Sequence, residues 1–113
     1  MESAIFSTDL QRNITSWNSG AQRLMGYGEA EMLGQSADAI FTPEDRASGA
    51  PQAEAQTARK EGRASDERMH LRKDGSRFRG TGTMMLMRNA SGEAVGFVKI
   101  LRDLTRHEPD PPR

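Results

Sequence analysis

The run from Ser65 to Leu101 constrains this chain most, because its side chains alternate with period two and turn residues divide it at even intervals. In a strand, successive side chains point to opposite faces, so such alternation predicts β-structure with two distinguishable sides. Glu67, Met69 and Leu71 alternate with Arg68, His70 and Arg72, which predicts a strand with one apolar face and places His70 on its polar, solvated side. Asp74-Gly75 forms a tight hairpin turn. Arg77 to Met87 is the next strand, with Phe78, Gly80, Gly82, Met84 and Leu86 on one side and Thr81, Thr83, Met85 and Met87 on the other. After a second turn around Gly92, Ala94 to Leu101 is a third strand, with Val95, Phe97 and Leu101 opposite Val98 and Ile100. Three consecutive antiparallel strands follow from these turns.

The N-terminal third reads differently. Ala4 to Thr8 and Ile14 to Trp17 are short β-prone segments around a polar turn, predicting a hairpin. Asn18-Ser19-Gly20 stops the second strand, and either Asn18 or Ser19 can cap a helix whose Ala21, Leu24 and Met25 share one face. Gly26-Tyr27-Gly28 breaks the chain before a second small helix, Glu29 to Leu33, closed by Gly34. Ser36 to Phe41 is a brief helical or irregular piece that delivers Ile40 and Phe41 to the core.

Thr42-Pro43-Glu44-Asp45 carries an N-cap, a proline suited to the first helical position and two first-turn carboxylates. Gly49 and Pro51 interrupt that helix, which restarts at Pro51 and ends before Gly62. Between Thr42 and Ser65 the only aliphatic side chains are alanines. A helix with only alanine on its inner face must approach a sheet closely or leave space beneath it. Close packing is the expectation. Gly80-Thr81-Gly82 then reads as a strand segment that admits a neighbouring helix.

With a formal net charge of zero, the chain shows no electrostatic footprint for nucleic acid or an anionic membrane. Its 113 residues suit one domain. Cysteine is absent, which removes disulfide, thiolate and cysteine–metal chemistry. Two histidines far apart give no metal-ligand spacing, and no G-x-S-x-G elbow accompanies the serines. No apolar run is long enough to span a bilayer, so a cytoplasmic, non-catalytic domain is the expectation.

Taken in order, four motifs resemble a known family. Trp17, Asn18, Ala21, Leu24, Gly26 and Tyr27, followed by Leu33-Gly34, look like the W-N-x-x-A-x-x-L-x-G-Y pattern that opens a PAS domain, the sensor module of bacterial signalling proteins such as histidine kinases. Arg72-Lys73-Asp74-Gly75-Ser76, Gly96-Phe97 and Arg102-Asp103-Leu104-Thr105 agree, the last resembling the terminal Asp-Ile-Thr motif with Leu104 in the isoleucine place. The likeness runs over roughly residues 3–106; it implies one domain over residues 1–106 and leaves residues 107–113 as a proline-rich tail or linker towards an output domain.

The resemblance implies an α+β fold, a five-stranded antiparallel sheet with short helices on one face. It implies a sensory or regulatory module that acts by dimerisation and passes changes in the sheet to an output domain. A stand-alone small-molecule-binding protein is the alternative. By the same likeness Asp103, Leu104 and Thr105 form a signal relay, with Asp103 pairing to Arg72 or Lys73, and an outer-face patch of Thr83, Met85 and Met87 supports a homodimer. A small ligand would be lined by Ile5, Met25, Phe41, Met69, Phe78, Met84 and Phe97, which serve equally as ordinary core. No cofactor is expected: the flavin-binding branch needs a cysteine that is missing, and the haem-binding branch needs a histidine on the long helix, where residues 43–62 have none.

Overall fold

A computed structural model describes residues 3–104. The chain forms five strands, β1 (Ala4–Thr8), β2 (Ile14–Trp17), β3 (Arg63–Leu71), β4 (Arg77–Arg88) and β5 (Ala94–Asp103). Between β2 and β3 lie the helices α1 (Ser19–Met25), α2 (Glu29–Met32), α3 (Pro43–Ser48) and α4 (Ala50–Glu61), with a 3₁₀ turn at Ala37–Ile40. The strands make one antiparallel sheet of order β2-β1-β5-β4-β3, so the N-terminal hairpin and the C-terminal meander meet where β1 pairs with β5.

Local signals explain most boundaries. Asn18 Oδ1 accepts from the Ala21 N–H at 2.8 Å, capping α1, and also from the Ile5 N–H at 2.9 Å, tying the helix start to β1. Trp17 donates its indole N–H to the Tyr27 carbonyl at 3.0 Å, which fixes the chain beyond α1. Thr42 Oγ1 accepts from the Asp45 N–H and caps α3. Gly49 follows at φ 81°, a left-handed conformation that costs glycine nothing, and separates α3 from α4 where the sequence breaks the helix.

The apolar core is split. Ala4, Phe6, Ile14, Trp17, Met25, Ile40, Phe41, Phe78 and Leu101 belong to the larger cluster, and Ala58, Met84 and Phe97 form a second beneath α4. Lys99 lies between Phe97 and Leu101 on the inner face of β5 and is 2% exposed. The gap between the clusters is filled by charge.

Two expectations change here. The inner face of β3 is its polar one: Arg68 and His70 turn inward with Asp66, His70 is wholly buried, and Met69 lies on the opposite side, paired with Arg79. The cause is the helix above. The buried residues of α4 are Pro51, Glu54 and Ala58, so an apolar strand face would find little to pack on, whereas polar side chains fill the space around Glu54, which itself pairs with Lys99 of β5. The glycines of β4 differ as well. A Cβ at Gly82 would stand 2.7 Å from Lys99 Cε, and one at Gly80 would stand 3.0 Å from Leu101 Cδ1. They make room for side chains of the neighbouring strand rather than for a helix.

Candidate functional site

The interior beneath α4 holds an ion network that joins four elements. Lys99 on β5 donates to Glu54 Oε2 on α4 at 2.6 Å, with side chains 2% and 4% exposed, and its ammonium lies 5.6 Å from the Phe41 ring centroid. On β3, Arg68 donates through Nε to Asp66 Oδ2 at 2.6 Å and reaches Asp45 Oδ2 of α3 at 3.0 Å. His70 closes the inner row. Its Nδ1 is 2.8 Å from the Ile40 carbonyl, and the ring sits edge-on to Phe41 and tilted against Phe78. The carbonyl can only accept, so Nδ1 carries the proton of a neutral imidazole.

Burial sets the protonation states. It pushes the His70 pKa down to about 4, against a smaller raising effect of the bond to Ile40. It pushes the Glu54 carboxyl upward in spite of Lys99. Burial opposes the charge of Asp66 too, but Lys99 and Arg68 outweigh it and hold that carboxyl below its usual range. Glu54 Oε1, Asp66 Oδ1 and His70 Nε2 are buried without a hydrogen-bond partner. Among the described residues no group of His, Asp or Glu is arranged to hold a metal ion.

The second feature is the exit of β5. Asp103, whose side chain is 3% exposed, accepts from Arg72 Nη2 at 3.1 Å. The same guanidinium donates to the Leu24 carbonyl at 3.1 Å and to Ser76 Oγ at 3.2 Å, and lies 4.6 Å from the Phe78 ring centroid. One arginine thereby joins the end of α1, the β3–β4 turn, the core and the last strand. The neighbouring Lys73 pairs with Glu31 at 2.5 Å instead, and its backbone N–H donates to Met25. The Leu104 N–H bonds to the Arg79 carbonyl at 2.9 Å, while Thr105 and the tail lie outside the described residues.

Of the residues expected to line a pocket, Met25, Phe41 and Phe78 are buried in the larger cluster and Met84 and Phe97 in the smaller. Phe41 and Phe78 meet around His70. Ile5 is 39% exposed and faces away with Met69, so neither reaches that interior. Thr83, Met85 and Met87 lie half-buried on the outer face, with Thr83 opposite Ile100 and Met85 opposite Val98. Sequence reasoning missed Glu54, Asp66, Arg68 and Lys99. The signal available was a lone lysine inside the apolar run of β5 and a glutamate flanked by Ala53 and Ala55 in α4.

An antiparallel sheet of this order, one face covered by short helices and its last strand anchored by a buried carboxylate, defines an α+β sensor-type domain. The chain belongs to the PAS domain family, which it matches over residues 2–106. It is 38% identical over 105 residues to two-component system protein A of Emericella nidulans, covering 93% of this chain but only 15% of that relative's length. A PAS domain of a protein from Colwellia psychrerythraea superposes with a TM-score of 0.85 at 28% identity, covering 93% of this chain and 88% of that one. The PAS domain of a LuxR-family transcriptional regulator from Burkholderia thailandensis, solved in complex with ethanol, shares the fold at 18% identity, with a TM-score of 0.75 and coverage of 91% and 89%. PAS domains are regulatory sensor modules. Among the described residues no helix is long and apolar enough to cross a membrane.

Proposed function

We propose that this PAS domain is the sensory module of a multidomain histidine kinase, and that it passes changes in its interior to an output domain through the end of β5. The supporting observation is the Arg72–Asp103 pair. It ties the strand's exit to the α1 carboxyl end and to Phe78, so a shift in the core alters the grip on Asp103. A two-state contact at such a junction can act as a switch element. The relative's name supports a two-component context, and its much greater length leaves room for an output region. Flavin-adduct and histidine-ligated haem chemistry do not enter this reading, since the chain lacks cysteine and residues 43–62 lack histidine.

In the full-length parent, Asp103→Ala is expected to change kinase output while the sensor keeps its β-sheet circular dichroism. Unaltered output from a folded sensor would dismiss the relay.

The domain also pairs with a second copy through the outer face, where Thr83, Met85 and Met87 join Val98, Ile100 and Ile5 in an apolar surface. Apolar surfaces of this kind mark partner sites. Met85→Glu is expected to weaken self-association by about tenfold or more in sedimentation equilibrium, since a charge would enter a desolvated contact. A dimer of unchanged affinity would exclude this face.

A further inference from the structure

We infer that the interior is a proton-binding site, in which Glu54 and Asp66 share one proton while Lys99 and Arg68 balance the remaining charge. The proposal goes beyond the relay reading and does not depend on it. The charged groups around the pair are Asp45 on α3, Glu54 on α4, Asp66, Arg68 and His70 on β3, and Lys99 on β5; Arg77 of β4, which lies near Asp45, is bound to Glu44, and that pair adds no net charge. With His70 neutral, three carboxylates face two cations. The network is one positive charge short.

The unpartnered atoms say where that charge belongs. Glu54 gives Oε2 to Lys99, and Asp66 gives Oδ2 to Arg68. Glu54 Oε1 and Asp66 Oδ1 are left buried and unpartnered, on two carboxyls that lie against the same lysine: Lys99 binds Glu54, and its stem passes over Gly82, the strand partner of Asp66. Two acceptors cannot satisfy each other, but a single proton between them satisfies both and closes the charge balance. His70 is the rival seat for it. Its free Nε2 has no acceptor in reach, so a proton there would be an unpaired cation in the core.

The proton carries a structural consequence. Its release places a third negative charge against two cations, and α4, with only Pro51, Glu54 and Ala58 buried, has a thin apolar hold on the sheet. Lys99 and Asp103 lie four residues apart on the same face of β5, so the network and the strand exit share one strand. Proton occupancy is therefore an input that this fold can transmit.

Side-chain carboxyl ¹³C shifts of the intact chain, followed by NMR against pH, test the assignment. Glu54 is expected to titrate above the exposed glutamates and Asp66 below the exposed aspartates, each curve showing an inflection at the other's step, as coupled sites do. Asp66→Asn removes the partner and restores charge balance, and is expected to move the Glu54 step to lower pH. Glu54 titrating with the exposed glutamates in the unaltered chain would overturn the proposal without any variant. So would a Glu54 step that stays high in Asp66→Asn, since burial alone would then account for it.

Discussion

Replacing Lys99 with methionine is expected to destabilise the domain by about 3–5 kcal/mol in urea unfolding, because it leaves a buried carboxylate without its cation. Lys99 is 2% exposed and binds Glu54 at 2.6 Å, so water cannot take over the lost contact. Against a total stability of about 5–15 kcal/mol for a domain, that is a large share. The double variant Lys99→Met/Glu54→Met is expected to recover most of the loss, since well-packed apolar groups replace buried pairs at little cost while half a pair is expensive. Asp66 keeps Arg68 in that background. The single variant should also regain part of its stability in acid, where Glu54 can neutralise itself by taking a proton. A loss below about 1 kcal/mol for Lys99→Met, or a double variant no better than the single, would mean that the pair does not hold α4 to the sheet.

How much of this was legible in the residues depends on which physical rule governed each position. Turn chemistry at Asp74-Gly75 and Gly92, and caps at Asn18 and Thr42, act locally, and the elements they delimit form as read. In β4 and β5 the apolar side of the alternation faces the core, as Phe78, Met84, Phe97 and Leu101 show. In β3 the same rule picks the wrong side. Alternation shows that two faces differ, but the assignment of one to the interior assumes an apolar partner opposite. The partner here is α4, whose only long inward side chain is Glu54, so Asp66, Arg68 and His70 turn in and Met69 turns out. Lys99 was invisible for a related reason. One charge in an apolar strand reads as an edge residue until its carboxylate is found 45 positions earlier on a helix.

The strand exit was legible only through likeness. Nothing local in Arg72-Lys73 says which of the two meets Asp103; the choice follows from Arg72 being the first residue past β3, beside α1, where Leu24 and Phe78 orient its guanidinium. Lys73, one residue further along, falls beside Glu31 and Tyr27. The network and the latch therefore rest on one circumstance. Arg68, His70, Arg72 and Lys99 all turn inward, and each takes a contact from a different helical segment: Asp45 of α3, Ile40 of the 3₁₀ turn, Leu24 of α1 and Glu54 of α4.

His70 makes that circumstance measurable through pH. Its folded-state pKa lies near 4, below the ordinary 6.5, so the unfolded chain takes up a proton at a pH where the folded domain refuses it. The contribution to stability is fully present above pH 6.5 and is lost as the pH falls from 6.5 towards 4, to a total of about 3 kcal/mol. Glu54 acts in the opposite sense. Its raised pKa gives a contribution that is whole below the ordinary value of 4.5 and declines as the pH rises. The two overlap, so the informative quantity is the difference between the unaltered chain and His70→Phe, in which the Glu54 contribution largely cancels. The phenyl ring keeps the contacts with Phe41 and Phe78 but leaves the Ile40 carbonyl without a donor, which costs about 1–3 kcal/mol at neutral pH. Urea midpoints measured from pH 7 to pH 4 should therefore show the variant weaker at the start, the gap closing on acidification, and the order equal or reversed at the end. A gap that stays constant across that range would show that the imidazole accepts its proton as readily inside the domain as outside it, and the charge count around Glu54 and Asp66 would then have to include it.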